Sequence, residues 1–135
     1  MKHTILKLSL FALLLLLTGA GCKNDEPLAT DPAQIILGKW AIIKMDGQPY
    51  DGTNGYKEYL SDSVLREYEY ESGEYYYKKY SIDTLLHEYV YIPQEGYYML
   101  FFEYSYDFTE NNTRMDLELL DWIGSYRYLT FKRIK

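Results

Sequence analysis

Apolar positions along this chain follow two patterns. Residues 8–17 are apolar everywhere but Ser9, have no polar face and end in five consecutive leucines; Lys2, His3 and Lys7 precede them, and Gly19, Ala20 and Gly21 follow. A basic start, an apolar run of roughly 7–15 residues and small residues at its end describe a cleaved secretory signal, since a spanning helix needs about 20 apolar residues. Residues 1–21 are therefore expected to be removed, not folded. Beyond residue 38 the period is two. In 113–120, Thr113, Met115, Leu117 and Leu119 share one side while Arg114, Asp116 and Glu118 share the other. In 125–133, Leu129, Phe131 and Arg133 fall opposite Tyr126, Tyr128, Thr130 and Lys132. Each is the pattern of a half-buried strand, and the two read as a hairpin closed by Asp121, Trp122, Ile123 and Gly124.

Further strands are predicted at 38–45, 56–60, 64–70, 75–82, 85–91 and 97–106, all rich in Tyr, Phe, Ile and Val. Turn residues separate them, among them Asp46-Gly47, Asp51-Gly52, Ser72-Gly73, Asp83-Thr84, Glu95-Gly96 and Asn111-Asn112. One short helix is expected where Asp31 can cap and Pro32 can open a turn carrying Ile35, Ile36 and Leu37. About eight short strands at even spacing indicate an all-β antiparallel meander, and closing it into a small up-and-down barrel removes the edges that would aggregate. Residues 22–33 are polar, carry Pro27 and Pro32 and show no period, which suits a tether; residues 34–135 are then one domain with one core.

Charge narrows the partners. The whole chain has a formal net charge of −6, and loss of Lys2 and Lys7 with the signal takes it to −8. No basic stripe is present, so nucleic acid is not an expected partner. The only cysteine, Cys22, precludes an intramolecular disulfide or a cysteine-cluster metal site. After the signal His87 is the sole histidine, too few for a zinc site, and Gly-X-Ser-X-Gly and Gly-rich phosphate loops do not occur. Two acid pairs, Glu67 with Glu69 and Asp116 with Glu118, share strand faces as a glycosidase dyad does, but they lie opposite the aromatic or apolar side and read as solvated surface. No catalytic residue, metal or cofactor is expected, and the protein reads as a binder, not an enzyme.

Four resemblances sharpen this reading. Cys22 directly after Gly19-Ala20-Gly21 resembles the bacterial lipobox, although Gly19 stands where that pattern usually has leucine. It implies acylation of Cys22 and a lipid anchor, and Lys23 followed by Asp25 and Glu26, similar to the sorting signal of Bacteroides-group lipoproteins, makes the outer membrane the expected location, facing the periplasm or the cell surface. Gly38-Lys39-Trp40 after the apolar turn, with the closing segment from Tyr128 to Ile134, resembles the lipocalin-like lipoproteins of the Bacteroides group. In that family a basic residue of the last strand covers the first-strand Trp, so Gly38, Trp40 and Arg133 are implied to close one end of the barrel. Asp62-Ser63-Val64 and Asp83-Thr84-Leu85 resemble the O-glycosylation triplets of the same bacteria, which makes Ser63 and Thr84 candidate modification sites.

The most unusual feature is 17 tyrosines, all between Tyr50 and Tyr128. Tyrosine offers a large rigid face and one hydroxyl, suited to wet cavities and to binding surfaces, and it is also simply a good strand residue. Two functions follow. Inward tyrosines would line a cavity for a small hydrophobic or glycan-like molecule; outward ones with Trp122 would form the contact of a surface-complex accessory or inhibitor module with a protein partner. Tyr68, Tyr70, Tyr89, Tyr91 and Trp122 are the candidate contacts.

Overall fold

A computed structural model describes residues 28–120 and 126–135, so Cys22, Trp122 and the expected hairpin turn at 121–124 lie outside the described residues. The described residues form one helix and nine strands: α1 (Pro32–Ile35), β1 (Gly38–Met45), β2 (Gln48–Pro49), β3 (Gly55–Tyr59), β4 (Val64–Glu69), β5 (Tyr75–Ile82), β6 (Leu86–Ile92), β7 (Tyr97–Thr109), β8 (Arg114–Leu119) and β9 (Tyr128–Ile134). Asp31 caps α1 by accepting from the Ala33 amide at 3.0 Å, and Pro32 opens the helix. Every strand from β3 to β9 pairs antiparallel with its sequence neighbour, and β9 pairs back onto β1. The result is a closed eight-stranded up-and-down barrel with the two-residue β2 attached to the end of β1.

β2 is an addition to the eight expected strands. Asp46 and Gly47 both have positive φ, +48° and +79°, the geometry of the two-residue turn that matches strand twist, so β1 folds back at once onto Gln48 and Pro49. The Asp46 carboxylate also accepts from the backbone amides of Arg127 and Tyr128 at 2.9 and 2.8 Å and pins the start of β9. β7 runs three residues beyond its expected end, because Asp107, Phe108 and Thr109 pair with Asp116, Met115 and Arg114.

Register and burial fix the inside of the barrel. Trp40, Tyr59, Leu65, Leu86, Met115 and Phe131 are essentially inaccessible, and alternation from these anchors assigns the other inward positions. One end is sealed. Trp40 donates its indole N–H to the Ile36 carbonyl at 2.7 Å, and the Arg133 guanidinium lies 4.3 Å from the Trp40 ring centroid, a contact worth about 0.5–2 kcal/mol. Arg133 further donates to the carbonyls of Leu37, Asn112 and Ile35, which ties β9 to α1 and to the β7–β8 turn. Gly38 has φ +114°, and a Cβ there would lie 3.0 Å from the Arg133 guanidinium; the glycine gives that side chain its place.

Candidate functional site

The opposite end is open because β1 and β3 part. They are paired only at Gly38 with Tyr59, Lys39 with Glu58 and Trp40 with Lys57. Farther along, Lys44 and Met45 pair with β2, and the Tyr50 amide donates to the Ile43 carbonyl. A pocket of about 230 Å³ lies in this slit. Ile42, Met45 and Phe131 form its apolar floor, Tyr50 and Tyr76 its inner walls with Tyr56 and Tyr68 at the outer edge of the wall, and Lys57, Glu67 and Glu69 its charged lining. Gly55 stands at the rim where β3 and β4 approach closely: a Cβ there would fall 1.7 Å from the Tyr68 carbonyl oxygen.

Beneath the pocket an ionic network crosses the barrel. Lys57 Nζ donates to both Glu88 oxygens at 2.7 Å and lies 3.4 Å from Glu67 Oε1; Lys78 Nζ is 2.6 Å from Glu67 Oε2. The Tyr59 hydroxyl donates to Glu88 Oε1 at 2.7 Å, so the wholly buried Glu88 carboxylate has three hydrogen bonds. Burying ions costs several kcal/mol each unless partners and hydrogen bonds compensate, and here both ions have them. Burial alone would lower the Lys57 pKa, but Glu88 and its neighbours outweigh it and hold the ammonium well above its ordinary range. For Glu67, burial pushes upward and Lys57 with Lys78 pull further down, leaving its carboxyl below the ordinary 4.5. Tyr59 and Tyr104 are raised, chiefly by burial, so the Tyr59 hydroxyl keeps the proton it donates to Glu88.

This reverses the reading of Glu67 as solvated surface. Leu65 is fully buried, so residues 65, 67 and 69 of β4 face the interior and residues 66 and 68 face out. The outward set continues across the sheet in register, Tyr56 opposite Tyr68 and Tyr68 opposite Tyr75. These rings pack at centroid distances of 5.2 and 4.9 Å, the Tyr56 and Tyr75 hydroxyls are 3.0 Å apart, and that bond, ahead of burial, pushes the Tyr56 pKa up to about 12. Tyr56 and Tyr68 border the pocket from this outer face, at the edge of the slit.

Of the residues singled out from sequence, Tyr68 is in the pocket wall. Tyr70 packs edgewise on Tyr68 at 5.5 Å and is half exposed; Tyr91 is exposed beside Tyr98; Tyr89 shares a hydrogen bond with Ser81 on the outer face. None of these three lines the pocket. Ser63 and Thr84 occupy exposed turns at the sealed end, and His87 lies outside with Nε2 2.7 Å from Glu103. Asp116 and Glu118 are outside too, held by Arg114 and Arg127. Sequence reasoning missed Lys57, Lys78 and Glu88, since an inward charge looks like any wet position until its partner strand is known. Among the described residues no group of three or more His, Cys, Asp or Glu could hold a metal ion.

No protein-family model matches this sequence, and no curated protein matches it either.

Proposed function

We propose that this chain is a non-catalytic, lipid-anchored envelope protein whose barrel binds a small molecule at its open end. The anchor is Cys22, acylated after removal of residues 1–21, with residues 22–33 as the tether and the outer membrane as the location. The observation that carries the binding reading is the aromatic-walled pocket in the slit between β1 and β3. Its volume, about 230 Å³, decides the size of the guest. Drug-sized ligands fill roughly 300–1,000 Å³, while a cavity of about 150 Å³ takes benzene. A guest of one ring fits; a long acyl chain does not, because Trp40, Tyr59, Leu86 and Phe131 fill the barrel beneath. A single sugar ring or a small hydrophobic ring is the ligand class.

A second reading, the interaction module, has its own observation. Tyr91, Tyr98, Met99, Leu100 and Phe101 of the β6–β7 hairpin are all exposed, so this hairpin carries apolar side chains on both of its faces. Native mass spectrometry of the full chain, purified gently from its host membrane in mild detergent, tests both. The pocket reading expects an added mass of one small molecule, lost on denaturation and absent from Tyr76→Ala. A bare chain that cross-links to another protein through the β6–β7 hairpin in whole cells overturns it in favour of the module.

A further inference from the structure

The charges around the pocket do not balance. Two ammoniums, Lys57 and Lys78, face three carboxylates, Glu67, Glu69 and Glu88. Both ammoniums are committed to Glu88 and Glu67 at 2.6–2.7 Å. Glu69 remains, and among the described residues no cation lies within ion-pair reach of it; its side-chain hydrogen bond there comes from the Tyr76 hydroxyl at 3.4 Å. It lines the pocket, half-buried, on the same inward face as Glu67.

Around this carboxylate the walls are rings. Tyr50 and Tyr76 bound the same space with Phe131 below, and Tyr56 and Tyr68 stand at its outer edge. Aromatic faces carry negative potential, so they attract a cation within about 6 Å of the ring centroid, and groups of such rings are a recurrent solution for holding organic ammoniums. An anion would meet an unneutralised carboxylate and the ring faces together. A neutral ring would use the walls and leave Glu69 unmatched. Taking the pocket as a ligand site, as proposed, we infer that its guest is a small organic ammonium, an amine borne on a body no larger than one ring, with Glu69 as its counter-ion and the tyrosines as its walls.

Three probes of one shape separate the charge from the fit: benzylamine, protonated at neutral pH, benzyl alcohol and benzoate, titrated into the full chain and followed by calorimetry or by NMR of the tyrosine rings. Benzylamine is expected to bind at least about tenfold more tightly than benzyl alcohol, with benzoate weaker still. Glu69→Gln is expected to bring benzylamine down to the level of benzyl alcohol and leave the alcohol unchanged; Glu69→Asp, which keeps the charge, restores part of the difference. Unchanged affinity for the alcohol shows that the variants fold. Nα-acetyl-lysinamide, included alongside, is expected to bind more weakly than benzylamine; tighter binding would replace the free ring-borne amine with a peptide-borne one. Equal binding of amine and alcohol, or a Glu69→Gln variant that keeps the preference, overturns the ammonium and leaves the pocket reading standing. No binding by any probe overturns both.

Discussion

At one end of the barrel a single cation closes the structure, and at the other a surplus of anions leaves it open. Arg133 lies against Trp40 and gives its donors to carbonyl oxygens of Ile35, Leu37 and Asn112, so every polar group it brings inside is matched. At the open end Lys57, Lys78, Glu67 and Glu88 are matched among themselves, while Glu69, Tyr50 and Tyr76 bound a space that side chains do not fill. The difference teaches where to look for function in a small barrel: satisfied polarity marks architecture, and unmatched polarity beside empty volume marks a site.

The largest effect that separates the ends should come from Trp40→Ala. It removes the fully buried indole under Arg133 and is expected to destabilise by about 3–5 kcal/mol, read as a lowered denaturant midpoint, with no loss of affinity for a pocket ligand in the fraction that stays folded. Lys57→Met tests the ionic floor. It leaves Glu88 buried with one hydrogen bond in place of three and should cost about 3–5 kcal/mol, whereas Lys57→Met with Glu88→Leu should recover most of that loss. A single variant no worse than the double one would show that the network is not held together by its charge pairing.

The third effect is confined to pH. The Glu67 pKa is lowered in the folded state, so its contribution is complete above the ordinary 4.5 and is lost as pH falls through the folded value; Glu67→Gln should flatten this acid limb. Lys57 is raised, so its contribution is complete below the ordinary 10.5 and is lost only as pH rises through a folded value well above that. A stability plateau between these limits, measured as urea midpoints, is the expected profile. The smallest effect belongs to the outer face: Tyr77→Ser, at an exposed position, should change stability by no more than about 0.5 kcal/mol and leave the pocket untouched. If the interaction module is the true function, a change in the exposed hairpin such as Phe101→Ser abolishes partner capture while folding is unaffected.

The strands and the barrel were legible in the sequence because period-two alternation and turn residues are local signals. Met115, Leu117 and Leu119 read correctly as a buried face, since their alternates are charged. β4 was harder: Leu65, Glu67 and Glu69 alternate with Arg66, Tyr68 and Tyr70, and each face mixes apolar with charged residues. Alternation separates the two faces without saying which is inside. The answer came from tertiary pairing, with Leu65 packed in the core and Lys57 opposite Glu67 in register. The slit was not legible either, because it depends on how soon β1 abandons β3 for β2, and a two-residue strand leaves almost no periodic trace.

The pairing of β1 with β9 also has a kinetic meaning. Trp40 meets Arg133, a partner near the far end of the chain, whereas every other strand of the barrel except β1 finds its next partner within one turn or loop. Hairpins β3 to β8 can form as they are delivered, but the seam is of high contact order, and such pairings are slow to find. Until β9 arrives, β1 and β8 each present a bare hydrogen-bonding edge to any other strand nearby. A chain released without β9 would carry two such edges, and one delivered from its N-terminus would stay unclosed until β9 had followed.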